Sequence, residues 1–559
     1  MASDCLLLTL PQGLDRQRVN GWRRQLFDLG EGEEQGYHRV ATPAGEWHPD
    51  ESLTVRGGPE ATSVWFRAEF ARPGWGERTV LRFDGAFLAV NVWLNGRLLG
   101  SHYGYPGSFG FDISSYLEAT NIVAVCVQAN GDPGHLPAPL SHLQDDGGLW
   151  WPLGVIGRVW LERTGNVIVQ SLESNWHLTP GLAEASIKTA LTNLDGREMQ
   201  VTVGWQMLTP ESDTPLVRWR RPARLRSGES INLETRVAVD RPQLWWPWTL
   251  GDQPLYTLVA QVEVDGRRST VTTRRVGIRE IDLEPSAGGM AWTINGRRHF
   301  PRGAVLPPLP PGESADPIGA WRLAGLDLAL SRGQVPSDRT ADSADSAGVL
   351  LVVDPPAFLA GEGDELAHRD HMKEAIGVIA PHASAAVLLQ RTGGSPGDVM
   401  GGATAGDEPY FLSGAARAEV EAVRRAKFQP LTALVLRQLP DLDEAEGALA
   451  ATTVLADWHR LAGGDAVRLR FHVINDDVAT NGRGLVRWRL RALEPTGWLP
   501  FVRDRSGQVP VLIPAPDQPA AVYDAEVNMP ADKGTMLLEL GLEQEGELLS
   551  YLEYEIEPD

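Results

Sequence analysis

The sequence predicts a multidomain, mainly β protein with one α/β part. Two long stretches carry period-two apolar runs closed by turn residues, and a third stretch alternates apolar strands with helix-period segments before β texture returns. At 559 residues the chain is too long for one core, and a loose prior of about 100 to 200 residues per domain divides it into roughly three to five.

From about Val40 to Arg163 short β-rich runs such as SVWFRAEF, RTVLRFDGAF and IVAVCVQAN are separated by Gly, Pro, Asn and Asp turns. Strands at this spacing make a sandwich or jelly roll. Asn95 and Gly96, set between Val92–Leu94 and Leu98–Leu99, form the strongest hairpin signal, because a two-residue turn of this type needs positive φ at both positions. Cys126 sits inside one apolar run and reads as a small buried hydrophobe; with Cys5 as the second cysteine, no disulfide framework is implied.

Residues Asn166 to about Glu280 repeat the pattern in TALTNL, MQVTVGWQML, INLETRVAV and YTLVAQVEV without a helical period, a length that fits one immunoglobulin-like sandwich. After Asp282 the texture changes. LDLALS, GVLLVVD ending at Asp354, AAVLLQ ending at Gln390 and TALVLRQ ending at Gln438 read as buried parallel strands, and ELAHRDHMKEAIGVIA and AARAEVEAVRRA as helices between them. From about Asp465, AVRLRFHVIND, GLVRWRLRAL and GTMLLELGLEQ restore strand periodicity.

A formal charge of −22 argues against nucleic acid or an anionic membrane as partner, since no basic field exists to displace counterions from phosphates. The opening MASDCLLLTLPQG has no basic stretch and only a short apolar run, so the expected location is the cytoplasm. The 12 His show no metal-ligand spacing, HRDH at His368–His371 being an i, i+3 pair on a polar helix face, and GGSPGD and GGATAG lack the Lys and Ser/Thr that end a phosphate loop. No metal and no cofactor is expected.

The run VWLNGRLLGSHYGYPGSFGFDIS, Val92 to Ser114, resembles the sugar-binding jelly roll of glycoside hydrolase family 2, the β-galactosidase, β-glucuronidase and β-mannosidase group. QDDGGLWWPLGVIGRVWLE is similar to the end of that jelly roll, PQLWWPWTLGDQPLYTL to the close of the family's immunoglobulin-like domain, and RRVGIREI with WTINGRRHFPRG to the approach to its catalytic barrel. These motifs are collinear over about the first 300 residues. The resemblance implies a carbohydrate or glycoside ligand and places substrate contacts near Asp145, Asp146, Trp150 and Trp151, whose aromatic faces suit the CH faces of a pyranose and equally serve as core filler. The Arg of the family's GIYRDV-like motif is absent, the residues here being Gly154, Val155, Ile156, Gly157 and Arg158.

The same resemblance exposes a gap. In the family the acid/base Glu ends a strand written roughly HPSIxxWxxxNE; HASAAVLLQRTG, starting at His382, keeps His382 and Ser384 but has Leu388 for the Trp, Thr392 for the Asn and Gly393 for the acid. Glycine cannot donate a proton. No nucleophile-like strand ending in Glu follows, and the carboxylates that remain are Asp354, at the end of GVLLVVD, and Glu408 in GDEPYF; the favoured reading is a turn or helix cap before Pro355 for the first and an exposed loop acid for the second. In the last barrel strands Arg437, Gln438 and Leu439 keep part of the family's pattern, while Asp327 and Leu330 occupy places of its early-strand Asn and Arg. Leu283 to His459 is about 180 residues, where an eight-stranded barrel needs about 200 to 250. No Trp lies between Trp321 and Trp458, although a sugar-gripping cleft favours aromatic platforms.

The expected architecture is therefore a galactose-binding-like jelly roll over residues 1–165, an immunoglobulin-like sandwich over 166–282, a degenerate, shortened (β/α) barrel over 283–460 and a C-terminal β-sandwich over 461–559. The expected function is that of a catalytically inactive carbohydrate-binding or scaffold protein. The alternatives are an active retaining β-glycosidase with relocated carboxylates, and a purely structural partner in an assembly. A homo-oligomer is compatible with either.

Overall fold

The computed structural model describes residues 7–8, 15–26, 32–41, 47–57, 63–74, 78–87, 89–103, 108–128, 144–145, 148–149, 151–155, 157–212, 214–286, 289–306, 318–332, 336, 338–354, 382–388, 410–412, 434–436, 452–460, 466–477, 479–492, 505–516, 518–528 and 536–556. Mainly β with an α/β part, it has the fold class that the sequence predicts.

The first domain packs two antiparallel sheets. One orders Leu7–Leu8, Phe109–Asp112, Arg78–Phe83, Val159–Thr164 and Asp15–Arg18; the other orders Arg97–Tyr103, Ala89–Leu94, Thr120–Gln128, Ser63–Ala71, Arg23–Leu26 and His48–Pro49. Alternation decides which residues meet between the sheets: Val64, Phe66 and Ala68 enter the core with Phe83, Val92, Phe111, Val123 and Val125, while Trp65 takes the opposite face and stacks on Trp93 at 5.0 Å. Cys126 is buried beside those rings. The hairpin turns at Asn95 (φ 53°) and Gly96 (φ 81°), the conformation that the dipeptide requires.

The second domain sets a three-stranded sheet (Val167–Thr179, Leu182–Asn193, Ser230–Asp240) against a four-stranded one ordered Pro215–Leu225, Met199–Leu208, Tyr256–Val264, Arg267–Val276. Val203, Trp205, Met207, Leu258, Ala260 and Val262 point inward on alternate positions, and the Trp205 indole satisfies its buried N–H on Thr189 Oγ1 at 2.9 Å. The C-terminal sandwich repeats this three-plus-four topology, with Thr452–Arg460, Ala466–Asn475 and Ala521–Asn528 facing Arg505–Ile513, Gly482–Ala492, Met536–Gln544 and Glu547–Ile556. Its first strand, Thr452–Arg460, lies before residue 461, where sequence texture puts the domain's start, and pairs along its whole length with Ala466–Asn475.

Between the two sandwiches, a short antiparallel meander (Ile281–Ser286, Gly289–Ile294, Arg297–His299) leads into the α/β segment. Its elements are β1 (Arg302–Val305), α1 (Ile318–Leu323), β2 (Leu328–Arg332), α2 (Asp338–Ala347), β3 (Leu350–Asp354), β4 (Ala385–Leu388), β5 (Tyr410–Leu412) and β6 (Leu434–Leu436). The six strands form one parallel sheet in the order β4-β3-β2-β1-β6-β5, so the last strand in sequence lies beside the first. β2 is apolar over Leu328–Leu330 and β3 over Leu350–Val353 because both faces are covered: Leu328, Leu330, Leu350 and Val352 pack toward Trp245 and Trp292, Ala329 and Leu351 toward Trp321 and Ala341, and Val353 reaches the first domain's core. Helix α2 stops at Gly348 (φ 71°), where a Cβ would stand 2.6 Å from the backbone nitrogen of Trp248. Neither helix was legible in its sequence, since DRTADSADSA carries no apolar stripe beyond its alanines. The segments expected to be helical at ELAHRDHMKEAIGVIA and AARAEVEAVRRA lie outside the described residues.

Candidate functional site

In a parallel β/α sheet the two ends of the strands differ in use: groups at the C-terminal ends do chemistry, and those at the N-terminal ends hold the structure. Among the described residues two buried ionic clusters occur in the α/β segment, around Asp327 ahead of β2 and around His382 ahead of β4.

The first surrounds Asp327, which directly precedes β2 and is completely buried. Its carboxylate accepts from Thr249 Oγ1 at 2.6 Å and from the Arg302 backbone N–H at 2.8 Å, and pairs with His299 Nε2 at 2.9 Å. Burial alone would raise the Asp327 pKa; the facing His299, the Arg302 charge and the Thr249 hydroxyl outweigh it and hold the carboxyl below its ordinary value. Arg302, also fully buried, reaches Asp476 of the C-terminal sandwich at 3.3 Å. Thr249 comes from the second domain, so one cluster ties three domains together.

The second surrounds His382. Asp338, Asp342 and Asp345, spaced i, i+4 and i+7, share one face of α2 and direct their carboxylates at it. Nδ1 lies 2.9 Å from Asp345 and 3.6 Å from Asp342; Nε2 is 3.8 Å from Asp338, an ion-pair distance too long for a hydrogen bond. Asp345 also accepts the Ser384 backbone N–H at 2.6 Å. Burial disfavours the charged imidazole, but the carboxylates of Asp338 and Asp345 prevail and raise its pKa to about 9. Arg279 of the second domain holds the same turn, donating to the carbonyls of Ala383 at 3.0 Å and Ala385 at 2.7 Å, and the Trp245 indole donates to the Asp345 carbonyl at 2.8 Å.

Ligand atoms of Asp342, Asp345 and His382 all lie within 4.8 Å of one another, close enough for a metal ion. With the imidazole protonated, the three carboxylates and the Arg279 contacts to the following carbonyls tie α2 to the start of β4. The sequence signal for it, D-x3-D-x2-D before a buried His, escapes a search confined to histidine spacings.

At the other end, the six strands finish on Val305, Arg332, Asp354, Leu388, Leu412 and Leu436. One of these is a carboxylate. Asp354 is the register partner of Arg332 on the neighbouring strand. Glu408 lies outside the described residues, two positions ahead of β5 in the sequence. Gly393, Asp146 and Trp150 also lie outside the described residues, while Asp145 and Trp151 are placed only as backbone, in the short strands Gln144–Asp145 and Trp151–Val155. Trp245, Trp246 and Trp248 have structural positions: Trp245 is fully buried, Trp246 packs beside it and the Trp248 indole donates to the Leu326 carbonyl at 2.9 Å.

Residues 169–279, nearly the whole second domain, match the family described as glycosyl hydrolases family 2. The chain is a relative of the family 2 glycosyl hydrolases. It is 28% identical over 304 residues to the exo-β-D-glucosaminidase of Amycolatopsis orientalis, covering 52% of this chain and 28% of that enzyme. To a β-glucuronidase of Bacteroides fragilis it is 25% identical, over 47% of this chain and 38% of the other. The chain thus aligns with well under half the length of these family 2 enzymes. Its fold is similar over a longer span: the crystal structure of the Amycolatopsis orientalis exo-chitosanase matches 98% of this chain and 85% of that one with a TM-score of 0.73 at 16% identity. The β-D-mannosidase of Dictyoglomus thermophilum matches 98% and 89% with a TM-score of 0.71 at 14% identity. At such identities the likeness is one of fold alone.

Proposed function

We propose that this protein is a carbohydrate-binding member of the family 2 group that does not hydrolyse its ligand. The observation that carries the reading is Gly393, which stands where the resemblance puts the proton donor, beyond a strand whose anchor at His382 is intact. A retaining glycosidase needs two carboxyl groups about 5 to 5.5 Å apart, one protonated and one nucleophilic. Among the described strand ends, Asp354 is the one carboxylate, and alone it supplies half of that chemistry.

The parallel sheet is read as a shortened barrel. Strands ordered β4-β3-β2-β1-β6-β5 occupy six consecutive places of an eight-stranded ring if β5 and β6 are its last two. On this reading the accessory domains keep their sugar-recognition role: Asp145, Asp146, Trp150 and Trp151 contact a glycoside ligand over the mouth of the sheet. Relatives of this fold are described in complex with glucosamine-configured compounds, which supports a glycoside as the ligand class.

The test is incubation of the pure protein with a panel of aryl β-glycosides, alongside binding measurements with the matching free sugars. Saturable binding without aglycone release is the expected result. Turnover that disappears in Asp354→Asn or Glu408→Gln establishes instead the second reading, a hydrolase with relocated acids, which the place of Asp354 at a strand's C-terminal end favours.

A further inference from the structure

We propose that the outer face of the C-terminal sandwich is a second saccharide-binding site, a groove that takes a linear neutral oligosaccharide. This rests on the carbohydrate-binding reading above and places a ligand on a domain that the reading leaves without one.

The groove lies across the four-stranded sheet and has a volume of about 450 Å3. Its floor is Gly541, in the central strand Met536–Gln544. Across the sheet the register runs Gln508, Arg487, Gly541, Tyr551, so the one residue of that row without a side chain opens a trough between an arginine and an aromatic ring. A Cβ at Gly541 would meet the Leu548 side chain at 3.2 Å. Tyr551 and Leu548 are 47% and 56% exposed, unusual for apolar side chains that share one small hollow. The Tyr551 hydroxyl donates to Glu553 at 2.7 Å, which restrains the ring and lowers the entropy lost when something stacks on it.

The charges around the trough decide the ligand class. Arg487 pairs with Glu543 at 2.8 Å, and Arg491 and Arg489 with Glu539 at 2.8 and 3.7 Å. These three guanidiniums share two carboxylates, and Glu553, which holds the Tyr551 hydroxyl, is a third, so the charges named on this face sum to zero and favour neither an anion nor a cation. A guanidinium carries five N–H donors and a carboxylate about four acceptor sites, so donors and acceptors remain to meet hydroxyl groups that both give and accept. Planar polar groups beside an exposed ring match a sugar, whose edge is hydroxylated and whose face is apolar CH. The second domain shows the contrast: its equivalent sheet has a hollow over Gly204 lined by Gln206, Arg218, Arg220 and Glu263 together with Trp205 and Trp219, but Trp205 is buried and Trp219 is half-buried, stacked on it and packed on the core, so neither ring is exposed as Tyr551 is. That hollow offers no comparable platform.

The experiment is calorimetric titration of the full-length protein with β-1,4-linked cellohexaose, mannohexaose and xylohexaose, with hexagalacturonate as the charged comparison. At least one neutral hexasaccharide is expected to bind. Tyr551→Ala and Gly541→Val should each weaken that binding about tenfold or more, the scale of one lost aromatic contact, without a change in Tm. Tyr551 is surface-exposed, so its variant keeps the test decisive should the glycine variant fold poorly. Neutral hexasaccharide binding that survives both substitutions overturns the groove, and loss of it in Trp150→Ala then leaves the jelly-roll reading standing. Absence of any hexasaccharide binding to the wild-type chain overturns the groove, while the jelly-roll reading falls only if the glycosides and free sugars fail to bind as well. Tighter binding of hexagalacturonate overturns the assignment to neutral chains.

Discussion

Replacing His382 with Asn should cost stability at neutral pH and almost none in alkali. The imidazole is 3% exposed, and three carboxylates of α2 lie within 4 Å of it. Its pKa in the folded protein is about 9, against about 6.5 for an unperturbed imidazole in the unfolded chain. A folded pKa above the unfolded one means that the native state binds the proton more tightly, so the stabilisation is complete below about pH 6.5 and drains away as pH rises through about 9. Two to three pKa units correspond to about 3 kcal/mol. Asn preserves a donor for Asp345 but cannot take up a proton, so the difference between wild type and variant isolates the imidazolium from every other group titrating in alkali. Urea unfolding followed by tryptophan fluorescence, repeated from pH 6 to pH 10.5, should show a gap of about 3 kcal/mol at pH 6 that closes to within about 1 kcal/mol at the top of the range. A gap independent of pH would refute the reasoning, because the stabilisation would then come from packing.

Asp327→Ala should be more damaging, since it leaves His299 and Arg302 buried without their shared carboxylate; about 3 to 5 kcal/mol is expected, read by urea unfolding. Because the Asp327 pKa is depressed, its contribution is present at neutral pH and is lost as acid protonates it, so the gap between wild type and variant should narrow in acid. Gly348→Ala puts a Cβ 2.6 Å from the Trp248 nitrogen at a position of positive φ, and should lower Tm by several degrees, checked by calorimetry. Asp476→Asn should loosen the C-terminal sandwich from the α/β segment through Arg302, seen as faster amide exchange over β1 and residues 466–477 with the sandwich core still protected.

The sequence carried most of the fold and little of the site, for one physical reason. Period-two burial repeats along Ala183–Leu191, Val201–Met207 and Val467–Val473, and each repeat is an independent report of the same sheet. A buried ion pair is reported once, by residues far apart: Asp345 and His382 are brought together by α2 and a turn, Arg302 and Asp476 by two domains meeting. Helix α2 shows the weakness of periodicity when a core face is built from Ala, Thr and Asp, whose patterning looks polar although Thr340, Ala341, Ala344 and Asp345 are buried. The same limit applies to the groove over Gly541, because a lone glycine in LLELGLEQ signals either a bulge or an open hollow until its cross-strand neighbours are known.

Where the buried charge sits bears on how such a protein changes. Asp327, Asp345 and His382 all precede parallel strands, at the end that holds a β/α sheet together, and each is tied to the second domain by Thr249, Trp245 or Arg279, while Arg302 beside Asp327 reaches Asp476. Removing one of them leaves an unpaired charge in the interior at a cost of several kcal/mol, a large part of the margin by which a domain stays folded. A carboxylate at the opposite end faces an open site and can be replaced with little or no loss of stability, since catalytic groups are held in places that do not serve packing. On the proposed reading, the loss of an acid at the position of Gly393 asks nothing of the framework, and the His382 lock ahead of β4 is what that asymmetry leaves in place. If the reasoning is right, Gly393→Glu should leave Tm within about 2 °C of wild type, whereas His382→Asn shifts it by several degrees at neutral pH. A reinstated acid that unfolds the chain would mean that the strand's far end has since been built into the core.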